Sequence, residues 1–289
     1  MANTQALKRR IKTAKNVSKT TKAMQMIAAS KLKRAQMGVL SSRPYVNKLT
    51  EITKNLGESF DLNNKEITYF GNKLGVNKSL YLIIAPDKGL CGGLVSNLVR
   101  EYLKIKRDDS FFITVGKKIE TSIASLSKNL VASFPFGSVL PSFENVYPIK
   151  KIVDEYYFSG RVSSVKIVTT KFNSVFSQKV EVINLLPLSL DEVQKNPEHK
   201  NENIKIFEPA KEKLLLEAAK RYVEMVIFQN LLESFASEQA SRMMAMQNAT
   251  NNANDIASTL QLLYNKARQE KITNEILDIT GAAVALSEQ

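Results

Sequence analysis

The sequence predicts a mixed α/β protein: a long antiparallel coiled coil of the N- and C-terminal helices, with a three-layer α/β domain inserted between them. Three observations predict it. The stretch from Asn3 to Phe60 carries heptad-like spacing. From Lys78 to Phe207, strand-like and helix-like segments alternate. From Ala210 to the C-terminus there is no Pro, and the one Gly is Gly281.

The first segment places Leu7, Ile11, Ala14, Ser18, Thr21, Gln25, Ala28 and Leu32 at alternating spacings of four and three. That is the seam of a coiled coil. Most of these side chains are small or polar, so a partner helix approaches closely while little apolar area is buried. Pro44 predicts a bend or a brief interruption. The period resumes with Val46, Leu49, Ile52 and Leu56.

The middle segment opens on "SLYLIIA", a short apolar run that reads as a strand, followed by the turn-forming "PDKGLCGG". "LVSNLVREYLKI" has helical spacing, "FFITVG" reads as a strand and "KKIETSIASL" as a helix. "YPIKKIVDEYYFSG" is an amphipathic helix stopped by Gly160, and "VSSVKIVTTKF" and "QKVEVINLLPL" are strands. Such alternation is the pattern of a Rossmann-like three-layer domain. The polar stretch Asp191–Asn203 reads as a surface loop.

The last segment begins at "FEPAKEK" and stays patterned like helix to the end. As one helix, its roughly 80 residues would reach about 120 Å. A bundle of two or three shorter helices is the alternative, but it needs breakers between them. One stretch is odd for a long helix. Met246–Asp255, "MQNATNNAND", has four Asn in ten residues, and Asn is a mediocre helix former. A polar, small-residue stretch is tolerable where two slender helices pair or face water. The expected organisation is therefore 1–60 for the first helix, 76–207 for the inserted domain and 208–289 for the last helix.

Composition narrows the function. The 289 residues carry a formal charge of +13, which leaves nucleic acid, an anionic membrane surface or an acidic protein as partners. Twelve Lys or Arg precede the first acidic residue, Glu51. A solvated helix ordinarily intersperses signs, so this surface is expected to face something negative. With one Cys, Cys91, and one His, His199, a metal site built on those ligands is not expected. No secretory signal or membrane-spanning run is visible. "PDKGLCGG" sits where a phosphate loop would, but it is neither GxxxxGK[ST] nor GxGxxG; a structural turn is expected. Asp108 with Asp109 and Asp154 with Glu155 read as solvated carboxylates, so no catalytic, cofactor-binding or metal-binding constellation is expected.

Three ordered motifs carry a resemblance over the whole chain: "RRIKTAKNVSKTTKAMQMIAASKLKRA", "DKGLCGGLVSN", and "SEQASRMMAMQNATNNANDI" followed by "LYNKARQEKITNEILDITGAAVAL". In these the chain resembles the gamma subunits of bacterial F-type ATP synthases. The resemblance implies the central rotor shaft of the F1Fo enzyme. It would couple ion flow through the membrane c-subunit ring to ATP synthesis or hydrolysis at the catalytic subunits.

The implied partners are three alpha and three beta subunits per single gamma, the epsilon subunit and the c ring. Neither nucleic acid nor a directly bound nucleotide is implied. The implied location is the bacterial cell membrane, peripheral on its cytoplasmic side. Contacts with the catalytic subunits are expected at Arg268, Gln269, Met24, Lys8, Arg9 and Arg34. The basic first helix would then face acidic segments of the catalytic subunits. The competing reading is a basic coiled-coil nucleic-acid-binding protein, which the Lys and Arg of the first helix could serve. It lacks stacking aromatics in a basic setting and any recognised binding module.

Overall fold

A computed structural model of the chain describes residues 4–57, 69–70, 78–105, 109–126, 129–188, 208 and 211–287. The polar loop Asp191–Asn203, His199, Asp108 and the expected domain limits at 60, 76 and 207 lie outside the described residues. The elements are, in order, α1 (Thr4–Gly57), β1 (Ser79–Ile84), α2 (Leu94–Ile105), β2 (Phe111–Val115), α3 (Lys117–Leu126) and β3 (Leu130–Phe134). A 3₁₀ turn (Phe143–Asn145), α4 (Val146–Phe158), β4 (Ser164–Phe172), β5 (Gln178–Leu186) and α5 (Lys211–Ser287) follow. By their contacts they divide into two compact units: Met1–Ile27 with Met243–Gln289, and Ala28–Arg242.

The fold class is the expected one. α5 is a single helix of 77 residues, which removes the bundle of shorter helices. α1 also runs unbroken through Pro44, where an interruption was an open expectation. Pro44 lies on an exposed face, so water can satisfy the carbonyl that loses its donor. Beyond Pro44 the stripe shifts by one position. Ile52 is 49% exposed and Thr53 is buried in its place. Thr53 meets the burial because its hydroxyl donates to the Leu49 carbonyl.

In the first unit, every expected seam position of α1 from Leu7 to Gln25 is buried or half-buried, and the residues around them are mostly exposed. The α5 side of the seam is Met246, Thr250, Ala253 and Ala257, again at spacings of four and three. Three polar contacts cross it. Ser18 Oγ donates to Asn254 Oδ1 at 2.6 Å. The Thr21 and Thr250 hydroxyls meet at 2.7 Å, and the Gln25 and Gln247 amides bond to each other. Numbers rise on one helix as they fall on the other, so the pair is antiparallel. The Asn-rich stretch is thereby explained. Asn254 supplies a cross-helix acceptor, Asn251 accepts from Gln247, and Asn248 and Asn252 face solvent.

In the second unit the sheet order is β3-β2-β1-β4-β5, parallel except for β5, which runs antiparallel to β4. β1 is buried from Leu80 to Ile84 and carries no charged or amide side chain there, because both of its faces are covered. Tyr81, Ile83, Phe112 and Val168 project to one side. They pack with Leu94, Leu98 and Tyr102 of α2 and with Ile119 and Ile123 of α3. Leu80, Leu82, Ile113, Val165 and Ile167 project to the other side and are fully buried. Here Phe111 meets Tyr156 of α4, and Thr169 donates to the Asn230 carbonyl of α5. These are the three expected layers. β3 is an addition that the sequence reading lacked. It is an edge strand with only half-buried or exposed side chains, so "LVASF" has no sustained apolar run to announce it.

Candidate functional site

The first unit presents two kinds of surface. On α1, Lys8, Arg9, Arg10, Lys12, Lys15, Lys19 and Lys22 are all exposed. No acidic residue accompanies them up to Ile27, and among the described residues none of the seven forms an ion pair. Met24 is 38% exposed on the same helix. On α5 the half-buried positions continue through Leu260, Tyr264 and Ala267 and then stop. From Arg268 to Thr280 every residue is exposed. Ile272, Ile276 and Ile279 recur at helical spacing and are exposed, Ile279 by 70%. An apolar stripe left uncovered on a helix end is a surface made for a partner. Arg268 and Gln269 open this segment, and both are exposed.

Of the six expected contact residues, Lys8, Arg9, Met24, Arg268 and Gln269 belong to this unit. Arg34 is exposed but belongs to the other.

In the second unit, the "DKGLCGG" motif forms the loop that leaves β1. Asp87 holds its root. Its carboxylate accepts from the backbone N–H groups of Lys117 (2.9 Å), Phe136 (3.2 Å) and Gly137 (2.8 Å). Burial pushes its pKa up. Those three donors, with the charge of Lys117, outweigh burial and hold the carboxyl below its ordinary range.

Leu90 sits in the left-handed region at φ 62° and is 65% exposed, a strained conformation for a residue with a Cβ. Gly92 takes the next left-handed turn without that penalty. Gly116 is required where β2 ends, because a Cβ there would lie 1.9 Å from the Ala85 carbonyl oxygen.

Cys91 is buried, and burial pushes its thiol pKa up, so the thiolate a nucleophile needs is disfavoured. The loop is a structural turn. Among the described residues, no group of His, Cys, Asp or Glu is placed to hold a metal.

In a doubly wound sheet, ligands ordinarily enter where the strand order reverses, here between the ends of β1 and β4. α5 crosses that place. Ser237 donates to the Thr170 carbonyl at 2.9 Å and Ser241 to the Cys91 carbonyl at 2.6 Å. Arg242 donates to the carbonyls of Lys88 and Gly89 and pairs with Glu238. Sequence reading missed these four residues. The i,i+4 pair within "SEQASR" was the available signal, but the carbonyls that Ser237 and Ser241 meet lie about 70 and 150 residues away along the chain.

A basic two-helix unit with an uncovered helix face and, in the same chain, an α/β unit whose crevice is crossed by its own helix define a protein built for assembly with partners. Comparison with known proteins sharpens this. A family model described as ATP synthase matches residues 3–286. The ATP synthase gamma chain of Dehalococcoides mccartyi strain 195 is 38% identical, over 99% of this chain and 100% of its own length. That of Legionella pneumophila strain Corby is 33% identical over the same shares.

Among solved structures, a chain of the Euglena gracilis mitochondrial ATP synthase, from its OSCP/F1/c-ring assembly, aligns with a TM-score of 0.71. It is 19% identical, with 98% of this chain and 94% of that one covered. A chain of the Tetrahymena thermophila central stalk and c-ring aligns with a TM-score of 0.59 and 27% identity, covering 80% and 99%. The chain belongs to the ATP synthase gamma chain family and so to the central stalk of that enzyme. These matches give the nucleic-acid reading no support. Among the described residues, no helix is long and apolar enough to cross a membrane.

Proposed function

We propose that the chain is the rotating shaft of an F1Fo ATP synthase, carrying torque between a membrane ring of c subunits and three catalytic sites. The observation that carries this reading is the end of α5. From Arg268 to Thr280 it has no covering partner within the described chain, yet it keeps an apolar stripe. A sleeve of surrounding subunits would cover it. We place three alpha and three beta subunits around the helix pair, and epsilon and the c ring against the inserted domain, which we keep at 76–207. The complex would sit on the cytoplasmic side of a bacterial membrane.

In this reading Arg268 and Gln269 contact loops of the catalytic subunits. Arg268 offers a planar fork of donors to a carboxylate, and Gln269 donates and accepts without adding charge. Lys8, Arg9, Met24 and Arg34 make further, individually weak contacts. Many weak contacts suit a surface that must meet different partners at successive angles, because a single strong anchor would deepen one energy well. The test is reconstitution of the chain with its alpha and beta subunits. One copy should assemble per three pairs, and ATP hydrolysis should turn a bead attached to the inserted domain. Assembly in another ratio, or hydrolysis without rotation, refutes the reading.

A further inference from the structure

The polar ties between α5 and the strand ends are more than the packing of this unit requires. Leu231, Phe235, Ala236 and Ala240 of α5 are already buried. Such apolar contact is non-directional. It holds the helix against the sheet but sets the angle between them loosely. Hydrogen bonds set an angle, because they weaken steeply when bent. Four hydrogen bonds do so here. Ser237 reaches β4, Ser241 reaches Cys91, and the two Nη2 contacts of Arg242 reach Lys88 at 3.2 Å and Gly89 at 3.3 Å.

Arg242 is itself held. Its Nη1 donates to Glu238 Oε1 at 2.6 Å. Glu238 is 4% exposed, and among the described residues its second carboxylate oxygen has no hydrogen-bond partner. Burial raises the pKa of that carboxyl and Arg242 opposes the rise. A buried carboxylate paired with a hydrogen-bonded cation resists losing it. The guanidinium therefore stays in place, and both loop carbonyls must turn toward it. The left-handed Leu90 lies directly after them, so the strained loop and the helix register are set together.

We propose that Arg242 is a positioning residue that fixes the angle of the α/β domain on the C-terminal helix, so that torque crosses this joint without slip. The proposal rests on the rotary reading above. It is tested in the assembled synthase in sealed vesicles, with ATP hydrolysis and ion pumping measured on the same preparation. A bead on the α/β domain reports the angular spread at each pause.

Arg242→Gln and the double variant Ser237→Ala/Ser241→Ala should keep hydrolysis near the wild-type rate. Ions pumped per ATP should fall about twofold or more, the scale of changes along a coupling path, and the spread should widen. Glu238→Gln/Arg242→Gln removes both charges, so no stranded carboxylate can confound the result, and it should behave as Arg242→Gln does. Arg242→Lys keeps the ion pair but loses the fork, and should fall between. A merely structural role would lower assembly and leave pumping per ATP unchanged in what assembles. That result, with an unchanged angular spread, overturns the proposal. Failure of the rotary reading is distinguishable, because it appears in the wild-type complex, before any variant is made.

Discussion

Replacing Asp87 by Ala should destabilise the α/β unit in a pH-dependent way. The carboxylate accepts from three backbone N–H groups, one at the first residue of α3 and two in the chain after β3. Loss of a helix-capping acceptor costs about 1 kcal/mol. Each further donor left short costs about 1 kcal/mol or somewhat more, and water recovers part of this because Asp87 is only half-buried. The total is about 2–3 kcal/mol, or roughly 5–10 °C in melting temperature for a unit of this size.

The carboxyl's folded pKa is depressed. Its contribution is therefore present above the unfolded value of about 3.9 and is lost as pH falls through the folded pKa. The difference between wild type and Asp87→Ala should be full at neutral pH and shrink below about pH 4. Asp87→Asn keeps one acceptor oxygen and no charge, so it should lose about half as much. The assay is thermal unfolding followed by near-ultraviolet circular dichroism of the buried tyrosines Tyr81, Tyr102 and Tyr157. An Asp87→Ala chain that melts with wild type at neutral pH, or a gap that stays constant in acid, refutes the reasoning.

Three further outcomes are expected. Arg268→Leu should lower hydrolysis and synthesis by the reconstituted complex while leaving the helix signal of the isolated chain intact, since an exposed side chain contributes little to its own core; wild-type turnover with normal assembly counts against the contact. Reversing Lys8, Arg9, Lys12 and Lys15 together should impair ATP-driven pumping where each single reversal does little, because exposed ion pairs are worth about 0–1 kcal/mol each; unchanged pumping by the quadruple variant removes the electrostatic role. Thr250→Val should cost about 1 kcal/mol by taking away the cross-helix partner of Thr21, and Thr21→Val/Thr250→Val should cost less than the two single changes added; strict additivity on chemical unfolding would mean that the hydroxyls do not interact.

The sequence by itself determined the elements that repeat over distance. Heptad spacing placed Ile11, Ala28 and Leu32 in buried positions, because a helix converts a spacing of three and four into one face whatever its partner is. The apolar run of β1 and the spacing of α2 and α3 were legible for the same reason. So were the motifs that carry the family resemblance. The exchange of Ile52 for Thr53 and the continuity of the helix through Pro44 were not legible. Both depend on what faces the helix rather than on its own period.

The joint between α5 and the sheet was decided by tertiary structure alone. Ser237, Ser241 and Arg242 read as ordinary polar residues of a helix, and nothing local shows that carbonyls of Lys88, Gly89, Cys91 and Thr170 meet them. Hydrogen bonds of this kind leave no periodic trace, because each is made between one donor and one carbonyl far apart in the chain. The strain at Leu90 was hidden likewise. Its left-handed backbone is held by Asp87 on one side and by Arg242 and Ser241 on the other, and only the folded chain brings those groups to the loop.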